Sequence, residues 1–250
     1  MTESTQGGLD HLDHLDHLAA LADRQDAFLR TVEVADPTVR VPWCGRWRVS
    51  NLVVHLARVH HWAAAQARRR RETPLGRGPF DLPVLYAECA AELRATLAEL
   101  DPDARAWTLL DDGVPREQQR GTVRFWHRRQ ALETLVHLWD LRTALGEPYE
   151  PGPEAWLDCL DEVATVMHPR QVRLGRVAAP PVRVTAVPDE TGAEVPFLAA
   201  DDATGSCVLA GPARDLALLV WGRADLDSPA LRVTGDPDSL ATVLSAGLTP

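Results

Sequence analysis

The chain has 250 residues, a formal net charge of −10 at pH 7, and four scattered cysteines that form no C-x-x-C pair. This length allows one large domain or two modest ones, and the acidic balance argues against a protein that binds nucleic acid. No run of about 18 apolar residues and no signal-peptide pattern occurs, so neither a membrane nor secretion is indicated. We therefore expect a cytoplasmic protein with reduced cysteines.

The first predicted helix begins in an unusual repeat of Leu-Asp-His over residues 9–18. Apolar residues then follow at helical spacing, until Asp36-Pro37 ends the helix. The histidines of the repeat, His11, His14 and His17, could collect metal ions. Solvent-exposed side chains at a helix end are the simpler interpretation.

The second predicted helix covers about residues 49–71 and follows a loop with two tryptophans. His55 lies at the edge of its apolar side, and His60 and His61 follow further along. The four arginines at 68–71 are predicted to form a solvated last turn that complements the helix dipole.

Two further helices complete the predicted bundle. The third begins at Asp81, a suitable N-cap followed by proline in the first turn, and ends at Asp101-Pro102. A polar, irregular segment over 104–121 leads to a fourth helix from Thr122 to about residue 145, closed by Gly146. Four amphipathic helices with such connections are typical of a helical bundle.

The fourth helix carries the most informative residues. Glu133 and His137 are four residues apart and project from one face, and Asp140 continues that stripe. Burying these side chains without partners is costly, and a divalent metal ion is the simplest partner. Taken alone, however, a Glu-x-x-x-His pair is more often an ordinary pair of satisfied polar residues.

His55 strengthens the metal hypothesis. Together with Glu133 and His137 it would supply two nitrogens and one oxygen from facing helices. Three protein ligands leave the fourth tetrahedral position open, which is typical of catalytic rather than structural zinc.

The last third of the chain differs in character. After a proline-rich joint at 148–153, short β-rich runs alternate with helical ones. We predict a small α/β domain over 171–250, preceded by a bundle with an exit helix over 1–170. Its predicted elements are a helix at 154–167, strands at 182–187, 206–210 and 230–234, and helices at 212–221 and 237–245.

Several separated motifs resemble one known family. They are WRVSNLVVHL at 47–56 with VHHW at 59–62, FWHRRQALETLVHLWD at 125–140, DLALLVWGR at 215–223 and VTGD at 233–236. These resemble, in the same order, motifs of the mycothiol-dependent maleylpyruvate isomerase family of the DinB-like superfamily. One departure is Arg48, which stands where that family has a threonine that caps the second helix, so we expect Ser50 to take over this task.

The resemblance implies an α+β fold, with a DinB-like four-helix bundle followed by a small α/β, sterol-carrier-like domain. It also implies that His55, Glu133 and His137 are ligands of zinc, or of another divalent transition metal. Asp140 stands where the family has an acidic residue near the site, and Arg223 stands where it has a functional arginine in the second domain. Both are expected to be catalytic. Mycothiol would be the co-substrate.

Charge counting suggests how such a site would work. Two neutral imidazoles and one carboxylate leave bound zinc with a net charge of +1, which a thiolate would neutralise. We expect a zinc-bound thiolate of mycothiol to attack a small electrophilic substrate, either for cis–trans isomerisation of an activated double bond like that of maleylpyruvate or for S-transfer. A metal-dependent hydrolase and a non-enzymatic metal-dependent binding or regulatory module remain as alternatives.

Two residues have two possible roles each. Arg223 would pair with a carboxylate of the substrate or thiol conjugate, or form an ordinary surface ion pair. Asp140 would orient a ligand imidazole, or form a salt bridge with an arginine.

Overall fold

The computed structural model describes residues 15–198 and 203–249. The chain divides into two compact units, one over Asp16–Glu150 and one from Pro151 onward. His11 and His14 of the Leu-Asp-His repeat lie outside the described residues. His17, the last histidine of the repeat, is half-buried in the first turn of a helix that Asp16 caps by accepting a hydrogen bond from Ala19 N (3.0 Å).

The first unit is the predicted four-helix bundle. Its helices are α1 (His17–Val32), α2 (Val49–Ala67), α3 (Leu82–Glu99) and α4 (Val123–Ala144). Apolar residues at helical spacing pack into a core of two clusters, because one face of each helix is apolar. The larger buried side chains of these two clusters are Leu21, Phe28, Leu52, Leu56, Tyr86, Leu93, Leu97, Trp126 and Leu138.

Main-chain carbonyl groups of the preceding segments satisfy the starts of α2 and α4. Val49 N–H donates to the Val39 carbonyl (2.9 Å) and Ser50 N–H to the Pro37 carbonyl (3.0 Å). The Asn51 side chain accepts from Arg48 N–H (2.9 Å). The expectation that Ser50 caps α2 is therefore wrong, because Asn51 and a neighbouring loop do so instead.

The predicted position of Thr122 as the N-cap of α4 is correct, but its side chain makes no capping hydrogen bond. The Ala104 carbonyl accepts from Val123 N–H (3.0 Å) instead.

Helix α2 ends at Ala67 rather than at 71. Arg69 adopts a left-handed φ of 53°, and Arg70 N–H donates to the Ala65 carbonyl (2.9 Å), which is a typical helix stop. Three of the four arginines at 68–71 thus follow the helix and its C-cap instead of forming its last turn.

The described residues of the second unit form a four-stranded sheet and four α-helices. The helices are α5 (Pro153–Glu162), which continues through a π turn (Val163–Met167) into α6 (His168–Arg173), then α7 (Ala213–Val220) and α8 (Pro237–Ser245). The strands are β1 (Val182–Pro188), β2 (Val195–Leu198), β3 (Gly205–Gly211) and β4 (Arg232–Gly235), in the order β2-β1-β3-β4. β1 is parallel to β3, and the other two pairs are antiparallel. The mixture of a helical bundle and a separate sheet confirms the α+β class.

Two features of this unit differ from the sequence-based expectations. Strand β2 was not predicted; it contains Pro196, which argues against a central strand but is tolerated on this edge strand. The units divide between residues 150 and 151, whereas the predicted boundary lies at 170/171. The reason is that α5 packs on α7 and so belongs to the second unit. In the described part of the chain, no helix has the length and apolar character needed to cross a membrane.

Candidate metal centre

The structure brings together the three residues that the sequence indicates as metal ligands. Glu133 and His137 lie one turn apart on α4 and are 8% and 5% exposed. His55 reaches them from α2. His137 Nε2 lies 3.2 Å from Glu133 Oε1, and His55 Nε2 lies 3.5 Å from the same oxygen.

These distances fit a tetrahedral zinc ion. Bonds of about 2.0–2.1 Å place neighbouring ligand atoms of a tetrahedral site about 3.3–3.4 Å apart. One donor atom from each of the three residues lies within 4.8 Å of the others, and no other group of three His, Cys, Asp or Glu residues in the described chain is arranged in this way. Two imidazoles and one carboxylate are also a donor set that zinc accepts.

The set is buried on the α4 side and more open on the α2 side. The His55 side chain is 35% exposed. Its ring packs edge-on against the His137 ring, with centroids 4.9 Å apart, and Trp47 lies on it with the same centroid distance. Sequence reasoning noted the tryptophans of this loop but did not place Trp47 at the site. A molecule from solution would therefore meet the three side chains from the side of His55 and Trp47.

Asp140 contacts His137 on the side away from Glu133. Its Oδ2 lies 2.9 Å from His137 Nδ1, and the residue is 1% exposed. A neutral imidazole that donates from Nδ1 to a carboxylate keeps its Nε2 lone pair for a cation. The Cys44 thiol lies 3.6 Å from the same oxygen. Asp140 therefore contacts the imidazole of His137, and its role in orienting a metal ligand remains a prediction.

Arg129 holds the other oxygen of Glu133. Its Nη2 contacts Glu133 Oε2 from one helical turn away, and the residue is 4% exposed. Sequence reasoning missed this residue, although the i, i+4 spacing of arginine and glutamate on one helix face was a visible signal. The pair leaves Oε1 directed towards the two imidazoles.

Arg223, the other residue predicted to be catalytic, lies in the second unit just after α7. Its Nη1 donates to the Trp221 carbonyl (2.6 Å), and its guanidinium carbon lies 5.8 Å from the centroid of the Trp221 ring. Its role towards a carboxylate remains a prediction.

The fold and the site together define a class: a four-helix bundle with a His-Glu-His set on two facing helices, followed by a mixed α/β unit. Family models identify this class further. The model described as the mycothiol maleylpyruvate isomerase N-terminal domain matches residues 18–142, and the model of the family's C-terminal domain matches residues 154–242. The chain belongs to the mycothiol maleylpyruvate isomerase family, so the predicted family, an enzyme family, is confirmed.

Solved structures agree with this assignment. A crystal structure of the mycothiol-dependent maleylpyruvate isomerase is 13% identical, with a TM-score of 0.60 over 87% of this chain and 91% of that one. A histidine-to-alanine variant of the mycothiol-dependent maleylpyruvate isomerase is 12% identical, with a TM-score of 0.62 over the same shares. At these identities the likeness establishes the fold. Among curated proteins, none matches this sequence.

Proposed function

We propose that this chain is a zinc-dependent enzyme that uses mycothiol as the attacking thiol to isomerise an activated cis double bond, such as that of maleylpyruvate. The observation that carries the proposal is the His55–Glu133–His137 set, in which Glu133 Oε1 lies 3.2 and 3.5 Å from the two imidazole nitrogens and the three donor atoms lie within 4.8 Å of one another. Family membership and the activity named for the similar crystal structures support the thiol and the substrate class.

The protein's own residues prepare this set for a cation. Asp140 orients His137, and Arg129 leaves one oxygen of Glu133 directed towards the imidazoles. Two neutral imidazoles and one carboxylate carry a single negative charge, so a divalent cation retains one positive charge for an anionic fourth partner. Bound zinc would supply the Lewis acidity that keeps a coordinating thiol deprotonated near neutral pH.

The proposed reaction changes the order of one carbon–carbon bond of the substrate. Addition of a thiolate converts the double bond into a single bond and moves the π electrons onto the conjugated carbonyl oxygen. Rotation and elimination then restore the double bond and release the thiolate. For Arg223 we retain the proposed role of pairing with a carboxylate of the substrate or thiol conjugate. If the substrate carries a leaving group, the same addition ends in S-transfer.

The test uses protein purified without a histidine tag. We expect about one zinc per chain by elemental analysis, lost in His55→Ala and retained in His61→Ala, a matched histidine of α2 that contacts Glu92 instead. Maleylpyruvate should isomerise only when mycothiol is added. Less than about 0.2 metal per chain, unchanged by His55→Ala, would exclude the proposal.

The products separate the related reactions. A stable mycothiol conjugate without isomerisation would indicate that the reaction is S-transfer and not isomerisation. Turnover of an ester or amide in water alone would indicate a metal-dependent hydrolase, and metal binding without any turnover would indicate a binding module.

A further inference from the structure

Beside the metal centre, the bundle buries a second group of polar side chains. Each helix contributes one residue, and each of these is at most 1% exposed: Gln25, His60, Tyr86 and Gln130. In the described chain, no hydrogen-bond partner is present for His60 Nε2, Tyr86 Oη, Gln130 Nε2 or either polar atom of the Gln25 side chain. Such unpartnered atoms weaken a core, so this group is not explained by stability.

One hydrogen bond in this group joins the two helices that carry the candidate ligands. His60 Nδ1 on α2 lies 2.9 Å from Gln130 Oε1 on α4. His60 follows His55 by five residues, or about 7.5 Å along the helix axis, and Gln130 precedes Glu133 by three residues, or about 4.5 Å. We call this hydrogen bond the His60–Gln130 joint.

We propose that the His60–Gln130 joint positions the metal ligands, by fixing α2 against α4 so that His55 meets Glu133 and His137. His60 and Gln130 are thus positioning residues. This inference rests on the metal centre of the proposed function.

The state of His60 suits a permanent joint. Burial lowers the pKa of His60 to about 4, and the hydrogen bond to Gln130 offsets this only in part. The ring is therefore neutral at neutral pH, and it can donate from Nδ1 to the Gln130 carboxamide oxygen without a change of charge. His60 also faces Tyr86, whose ring centroid lies 5.7 Å away on α3, a helix without a candidate ligand.

A positioning role predicts that stability and metal affinity move differently. Replacing both partners of a buried hydrogen bond by apolar groups of similar size is nearly neutral or stabilising. The double variant His60→Leu/Gln130→Leu should therefore melt, without metal, at the wild-type temperature or above. Its zinc affinity, measured by competition with a chelator, should fall about 10-fold, the lower end of what outer partners of metal ligands typically contribute.

Three further variants make the test specific to the joint. His60→Leu and Gln130→Leu should each lose as much zinc affinity as the double variant, because both break the same bond. The d–d absorption of bound Co²⁺, which reports coordination geometry, should change in His60→Leu, in Gln130→Leu and in the double variant. His60→Asn keeps an amide donor near the position of Nδ1 and should restore most of the affinity.

Tyr86→Phe is the matched control, since it removes a neighbouring buried hydroxyl from a helix without a ligand. Its zinc affinity should stay within about twofold of wild type. The proposal is overturned if the double variant also stays within about twofold with an unchanged cobalt spectrum. If the double variant does not fold, the test compares Gln130→Leu, which breaks the hydrogen bond, with His60→Asn, which keeps it. Equal zinc affinity of these two variants overturns the proposal. A wild-type chain that binds no zinc would remove the proposed function itself, and the joint's role with it.

Discussion

The segment over 104–121 buries one carboxylate, Asp111, and helix α4 buries two, Glu133 and Asp140. Asp111 and Glu133 differ in the kind of partner that surrounds them. Asp111, 4% exposed, accepts hydrogen bonds from the main-chain N–H groups of Thr108, Arg120 and Gly121 and from the Thr108 hydroxyl, at 2.8–3.2 Å. All four donors are neutral, and they belong to the same segment. A side chain at Gly121 would overlap this carboxylate, so the close approach requires glycine.

Glu133 has partners of a different kind. A guanidinium contacts one of its oxygens, and two imidazole nitrogens from different helices face the other. An unprotonated imidazole nitrogen can bind a cation through its lone pair, and a protonated one can donate a hydrogen bond to a carboxylate. The comparison teaches that burial alone does not mark a functional carboxylate: Asp111 is saturated by its own loop, whereas Glu133 shares its surroundings with groups that a metal ion can bind.

The largest effect is expected from Glu133→Gln, which removes the charge and nearly preserves the shape. Zinc affinity should fall by more than about 100-fold, beyond what an outer partner contributes. The unfolding free energy without metal should fall by about 1.5–3 kcal/mol, because the contact of the buried Arg129 with a charged carboxylate becomes a contact with a neutral amide. Chelator competition and urea unfolding measure the two quantities.

Glu147→Gln is the control for this change. Glu147 lies just beyond the end of α4 and pairs with Arg142 in the last turn of the helix, and both side chains are more exposed than Glu133 and Arg129. It should leave zinc affinity unchanged. If Glu133→Gln bound zinc as tightly as wild type, Glu133 would have to be grouped with Asp111 as a structural carboxylate.

Asp111→Ala should show the reverse pattern. Several buried N–H groups would lose their acceptor, at about 1–3 kcal/mol for each one left unsatisfied, so we expect a loss of about 3 kcal/mol in unfolding free energy. Zinc affinity of the folded protein should not change. Glu117→Ala, an exposed position in the same segment, should stay within about 0.5 kcal/mol of wild type. Loss of zinc affinity in Asp111→Ala would show that this segment supports the metal centre.

The two regions also differ in how far their structure follows from the sequence. Helical spacing alone places Glu133 and His137 on one face and His55 at the edge of another, since the 3.6-residue period is local. The same spacing indicates the buried stripe that ends at Asp140. The family resemblance then joins the two helices, which periodicity cannot do.

The rest depends on contacts that are distant in sequence. The segment around Asp111 looked polar and irregular because its order comes from one carboxylate and main-chain N–H groups. The first N–H groups of α2 donate to the carbonyls of Pro37 and Val39. No capping residue in the sequence indicates these main-chain contacts. The i, i+4 spacing of Arg129 and Glu133 is visible in the sequence, but spacing alone does not show that the two side chains are buried and paired.

The smallest effect concerns an exposed carboxylate that also contacts an imidazole. Glu92 Oε2 lies 2.6 Å from His61 Nδ1, and the Thr73 carbonyl lies 2.7 Å from His61 Nε2. Partial burial alone would lower the pKa of His61, but these two hydrogen bonds and the negative charges of Glu92 and Glu72 together raise the pKa above its usual value. A raised histidine pKa stabilises the fold below the pKa of the unfolded chain, about 6.5, and this contribution is lost as the pH rises through the folded-state value.

Glu92→Gln should therefore lower the unfolding free energy at pH 5.5 by about 0.2–1 kcal/mol, the range of exposed ion pairs, because the Glu92 side chain is 47% exposed. At pH 9, where His61 is neutral in both states, wild type and variant should agree. Urea unfolding at the two pH values measures the difference, and zinc affinity should be unaffected at either. An equal loss at both pH values would show that the Glu92–His61 contact acts without charge. A loss of zinc affinity would show that a carboxylate–imidazole contact outside the His55–Glu133–His137 set also supports the metal. The comparison of Asp111 with Glu133 would then not apply to exposed carboxylates.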